Sequence, residues 1–107
     1  MDNDLLKQIN YRVDELNAIA ESNDYDAFDE FLDGVLDLEF KIGTDRSFRG
    51  AELLITFGGP NIYVNVNSAG RAEVEGYWGG DHYTRPLDDE ASDMIYNWAE
   101  EYFSSIF

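Results

Sequence analysis

A chain of 107 residues holds one domain at most, and a 44% hydrophobic content with seven Phe, seven Tyr and two Trp supplies it with a core, which argues against disorder. Its 23 acids against seven Lys and Arg give a formal net charge of -16, a field that repels nucleic acid and anionic membranes and steers the chain toward basic protein surfaces. Cysteine is absent, so disulfide scaffolds, Cys-ligated zinc and thiol nucleophiles are excluded.

The charge is segregated. Residues 1–40 carry a net of -10 and residues 86–107 a net of -6, while residues 41–85 balance five acids with Lys41, Arg46, Arg49, Arg71 and Arg85. The N-terminus, Met1-Asp2-Asn3-Asp4, is acidic where a signal peptide is basic, and no apolar run approaches the ~20 residues of a membrane span. These features predict a soluble, cytoplasmic protein, whose acidic surface lies on the helices at both ends rather than on a neutral sheet between them.

Asp2 or Asp4 can cap a first helix, and Leu5, Ile9, Val13, Leu16 and Ala20 follow at helical spacing with Ile19 beside them. Ser22-Asn23-Asp24 breaks it and caps a second helix, predicted from about Tyr25 to Leu36. Phe28, Phe31, Leu32, Val35 and Leu36 line one side of that helix, and Asp26, Asp29, Glu30, Asp33 and Asp37 the other. The period then changes to two. Leu38, Phe40 and Ile42 mark a strand, Gly43 to Gly50 a polar loop, and Leu53 to Phe57 a second, central strand. Gly58-Gly59-Pro60-Asn61 turns the chain into a third strand, Ile62 to Val66. A further turn at Asn67-Ser68-Ala69-Gly70 leads to a fourth, Arg71 to Trp78. Gly79-Gly80-Asp81-His82 is expected to end the sheet. Asp88 then caps a last helix, whose predicted buried face is Ala91, Ile95, Trp98, Tyr102 and Ile106. The expected fold over residues 1–107 is a single α+β domain: a four-stranded antiparallel meander with two N-terminal helices and one C-terminal helix packed on one face.

Catalytic chemistry finds little support. His82 is the sole histidine, and in a Gly-rich turn it reads as a surface residue. No serine sits in a nucleophile elbow. Asp88-Asp89-Glu90 with Asp93 is dense in oxygen, and Asp24-Tyr25-Asp26 begins like a calcium loop, but Phe28 stands where a ligand is needed. Both segments read as acids in the first turn of a helix. Gly58-Gly59-Pro60 lacks the lysine and the following helix of a phosphate loop. The chain is read as non-enzymatic, with no cofactor and no metal. Tyr77 and Trp78 lie on opposite sides of their strand by parity, so one of them faces away from the helices, and Tyr63, Trp78 and Tyr83 are candidate anchors for a partner.

The acidic rows are the remaining signal. Helical residues three or four apart lie ~5–6 Å from one another. Asp26, Asp29, Glu30, Asp33 and Asp37 form such a row, and Asp89 and Asp93 begin another. One strand of B-DNA carries a phosphate every ~3.4 Å of axis, a comparable density. Solubility needs a net charge of only ~2–8 in a small domain, and this chain has twice the upper figure. The stretches Leu54-Ile55-Thr56-Phe57-Gly58-Gly59-Pro60-Asn61-Ile62-Tyr63-Val64-Asn65 and Gly76-Tyr77-Trp78-Gly79-Gly80-Asp81, with the acidic final helix, resemble a family of small uncharacterised acidic proteins encoded on phages and mobile elements. The resemblance covers roughly residues 50–105 and implies a setting in which small acidic proteins inhibit host defence nucleases, as anti-CRISPR and antirestriction proteins do. The expected partner is a basic, nucleic-acid-binding nuclease or effector complex, with no direct contact to nucleic acid or membrane. An immunity protein or antitoxin against a basic nuclease toxin uses the same electrostatics and stays open as the alternative.

Overall fold

The computed structural model describes residues 4–107. Helix α1 (Asp4–Ser22) and helix α2 (Tyr25–Asp33) precede five strands, β1 (Asp37–Ile42), β2 (Phe48–Thr56), β3 (Asn61–Asn67), β4 (Ala72–Trp78) and β5 (Asp81–Pro86), and helix α3 (Asp89–Ile106) closes the chain. The strands form one antiparallel sheet in the order β1-β2-β3-β4-β5, so every neighbour in space is a neighbour in sequence. Alternation places Ala51, Leu53, Ile62, Val64, Val66, Ala72 and Val74 in the core and leaves the intervening residues on the other face. All three helices cover the core face. Ile9, Leu16 and Ile95 are fully buried against it, each such side chain contributing about 1.5–3 kcal/mol relative to exposure.

Local chemistry fixes the ends of the elements. The Asp24 carboxylate accepts from the Ala27 N–H at 3.1 Å and caps α2. Asp88 holds the N-cap position of α3 with extended backbone, but its side chain makes no capping bond; its N–H instead donates to Asn17 Oδ1 at 3.0 Å, tying α1 to the start of α3. Ser92 is the one buried polar residue among the described residues, and its Oγ accepts from the Ala72 N–H at 3.1 Å. Gly76 is buried beneath α1, where a Cβ would lie 2.8 Å from Leu5 Cδ1 and 2.9 Å from Ile9 Cδ1, so the helix sits closer than any side chain would allow.

Several expectations are corrected. The sheet has a fifth strand: Gly79-Gly80 is a tight hairpin turn that pairs Trp78 with Asp81, not the end of the sheet. The second helix stops at Asp33, where the Gly34 N–H bonds back to the carbonyls of Phe31 and Leu32; Asp37 opens β1 and is no part of the helical acidic row. The buried stripe of α3 is Ala91, Ser92, Ile95, Ala99 and Phe103, with Trp98 half-buried and Tyr102 and Ile106 exposed. The second strand begins at Phe48 and so takes in the last three residues of the expected loop. Of the two caps proposed for the first helix, Asp4 is its first residue, and residue 2 lies outside the described residues.

Candidate functional site

Helices α2 and α3 enclose a groove of 480 Å³. Tyr25, Phe28, Met94 and Trp98 are among its lining residues, with the Phe28 and Trp98 rings edge to face at 6.4 Å. Asp29 of α2 and Glu90, Asp93 and Glu101 of α3 line it as well. The arrangement follows from helical spacing. Glu90, Asp93, Asn97 and Glu101 recur every three or four residues on α3, beside the core stripe of Ala91, Ile95 and Ala99. The groove therefore joins an aromatic wall to four carboxylates, a combination suited to an aliphatic-stemmed cation such as Arg or Lys.

The predicted site residues divide among several surfaces. Asp29 and Asp93 meet in this groove, Asp26 and Asp33 are exposed outside it, and Glu30 lines a separate hollow with Arg12 and Glu15. Asp89 lies outside the groove, beside Pro86 and Leu87, in another hollow that Asp93 also lines. Asp37 sits on the edge strand. The aromatic anchors do not form one patch. Tyr63 stands on the helix-free face of the sheet beside Tyr77, rings 6.2 Å apart. Tyr83 packs half-buried against the core on the helical face, paired with Gly76. Trp78 is exposed at the end of the sheet, its ring lying where Gly59 would carry a Cβ. Glu90, read in the sequence only as an acid of the first turn, and Glu101, at the end of the last helix, join the groove because both lie on the stripe that faces α2.

The helix-free face is not neutral. Asp37, Glu39, Glu52, Glu73 and Glu75 all point from it, because strand parity collects acids that were spread along the sequence. The expectation of an acidic layer confined to the helices is therefore corrected: the sheet carries a second one. Four of the bases, Lys41, Arg46, Arg49 and Arg71, gather at the end of the sheet formed by the β1–β2 and β3–β4 turns. There Lys41, Arg49 and Arg71 border a hollow of 720 Å³ that is also lined by Glu52, Glu73, Glu75, Asp89 and Asp93, so the bases are interleaved with acids.

A polar network occupies the β4–β5 side of this face, near the hairpin that joins the two strands. Glu75 Oε1 accepts from Asn65 Nδ2 at 2.8 Å, and Oε2 accepts from the Tyr77 hydroxyl at 2.9 Å and lies 2.8 Å from His82 Nε2. Burial pushes the Glu75 carboxyl up, but the bonds from His82, Tyr77 and Asn65 outweigh it and hold the group below its ordinary 4.5. The same bond to Glu75 raises the Tyr77 hydroxyl above its usual value. The Tyr77 and His82 rings stack at 4.4 Å. His82 is thus a surface residue, as its turn context suggested, but one bound into a cluster that only the fifth strand could assemble.

Among the described residues, three acids lie within ion-pair distance of a base: Glu15 with Arg12, Asp45 with Arg49 and Glu75 with His82. No acid of α2 or α3 does. No group of three His, Asp or Glu side chains is placed to hold a metal ion, and no helix is long and apolar enough to cross a membrane, among the same residues. No protein family, curated protein or solved structure matches the chain.

Proposed function

We propose that the chain is a non-enzymatic inhibitor of a host defence nuclease, of the anti-CRISPR or antirestriction kind, which occupies the enzyme's basic nucleic-acid site as a DNA mimic. One observation carries the reading: the acids of α2 and α3 have no basic partner within the chain, among the described residues. Charge left uncompensated destabilises the monomer by self-repulsion and is recovered when a basic surface covers it. The groove between the two helices adds an apolar wall, which gives an inserted Arg or Lys stem a place to pack.

Purified CRISPR effectors, restriction nucleases and toxin nucleases, each assayed for DNA cleavage with and without the chain, test the proposal. One of the first two classes should be inhibited, with inhibition relieved by excess duplex DNA and weakened about tenfold or more as salt rises from about 0.05 to about 0.2 M. Reversal of Asp29, Glu90, Asp93 and Glu101 to Lys should abolish it. Inhibition that survives the reversal, or that DNA does not relieve, would reject the mimic mechanism. Inhibition of the toxin class alone would instead make the chain an immunity protein.

A further inference from the structure

We infer that the free edge of the sheet is the docking surface for a second copy of this chain, with β1 pairing antiparallel to its counterpart about a two-fold axis at Phe40. β1 stands last in the sheet, so among the described residues one side of its backbone has no neighbouring strand. Unpaired edges invite addition of another strand unless something blocks them. The opposite edge is interrupted at its end: the last residue of β5, Pro86, has no N–H to offer. β1 contains neither Pro nor Gly, and the register irregularities beside it place the extra residues on β2, so β1 itself runs unbroken.

The edge is complementary to itself. With Phe40 opposite Phe40 of the second copy, Glu39 faces Lys41 and Lys41 faces Glu39 on the open face, while Leu38 faces Ile42 on the helical face. Moving the axis by one residue would set Glu39 against Glu39. The surroundings are apolar in a chain that is acidic elsewhere. Leu36, Ile42, Tyr102, Ile106 and Phe107 are all exposed, and they lie on or next to β1 or in the last turns of α3. Phe40 touches the rings of Phe48, Tyr102, Phe103 and Phe107 yet remains half-buried. A hollow of 400 Å³ along this edge is lined by Leu32, Val35, Leu36, Leu38, Trp98 and Tyr102, with Asp37 its single charged residue. A second copy would cover both strand and hollow, and the result is a continuous ten-stranded sheet with two five-stranded halves.

Sedimentation equilibrium of the intact chain tests this without reference to any nuclease. At about 0.1 mM, a hundredfold above a Kd of about 1 μM, the particle should have twice the chain mass. Glu39→Lys and Lys41→Glu each replace two opposite-charge pairs with two like-charge pairs and should weaken the dimer about tenfold or more. Both side chains are exposed, so both variants should keep the circular dichroism of the parent. An equimolar mixture of the two variants should restore the dimer, because each then faces the other's opposite charges, and the double variant Glu39→Lys/Lys41→Glu should dimerise alone. A wild-type chain that stays monomeric, or a mixture that does not reassemble, would overturn the inference.

Discussion

Glu75 shows how a single side chain can carry a pH response. Its carboxylate accepts three bonds, and their combined effect lowers its pKa below the unfolded value of 4.5. A depressed carboxyl contributes stability that is fully present above the unfolded value and is lost as pH falls through the folded one. Glu75→Gln should cost about 1 kcal/mol at neutral pH. The difference from the parent should then narrow below pH 4.5, as urea titrations of the two chains at several pH values would show. Comparing the pair removes the general relief of self-repulsion on acidification, which both share. His82 was legible as a residue but not as a partner, because its role depends on a hairpin that brings Asp81–Pro86 back alongside β4.

At the scale of elements, most of the fold was readable where one periodicity ran undisturbed. Of the α1 stripe, Leu5, Ile9, Leu16, Ile19 and Ala20 are buried as their spacing requires and Val13 is half-buried, and β3 alternates through Ile62, Val64 and Val66. Reading failed where a short polar run had two uses. Gly79-Gly80 serves equally as a terminator and as a two-residue hairpin, and β5, Asp81–Pro86, has too few apolar residues to announce itself. On α3, aromatic size misled: small Ala99 faces the sheet at close range while larger Tyr102 stays at the surface. Close packing of the same kind governs α1 on β4. Gly76→Ala would drive a methyl into Leu5 and Ile9 and should cost about 1–3 kcal/mol through overpacking, read as a lowered Tm with unchanged secondary structure by circular dichroism.

For the whole molecule, charge sets the behaviour. A net of -16 with few internal ion pairs implies strong self-repulsion, which salt screens over a Debye length of about 10 Å at 0.1 M. Added sodium chloride should therefore raise the Tm; a fall would show that internal pairs dominate instead. The magnitude of the charge was plain from composition, but its placement was not. Asp37, read as a helical acid, is turned onto the sheet beside Glu39, which alternation had already placed in a strand, and Glu52, Glu73 and Glu75 join them from strands whose sequence is neutral on average. The α2–α3 groove was legible in part, through Asp29 and Asp93, because the meeting of two helices is a long-range event that no single stripe records.

The gathering of Lys41, Arg46, Arg49 and Arg71 at one end of the sheet has a dynamic consequence. Asp89 and Asp93 of α3 line the same hollow, so acids interleave with these bases and no positive pole forms. An approaching basic surface meets only the total negative charge until it comes within a Debye length, about 10 Å at 0.1 M, and meets the individual bases inside that distance. The hairpin end therefore opposes the last step of docking rather than the approach.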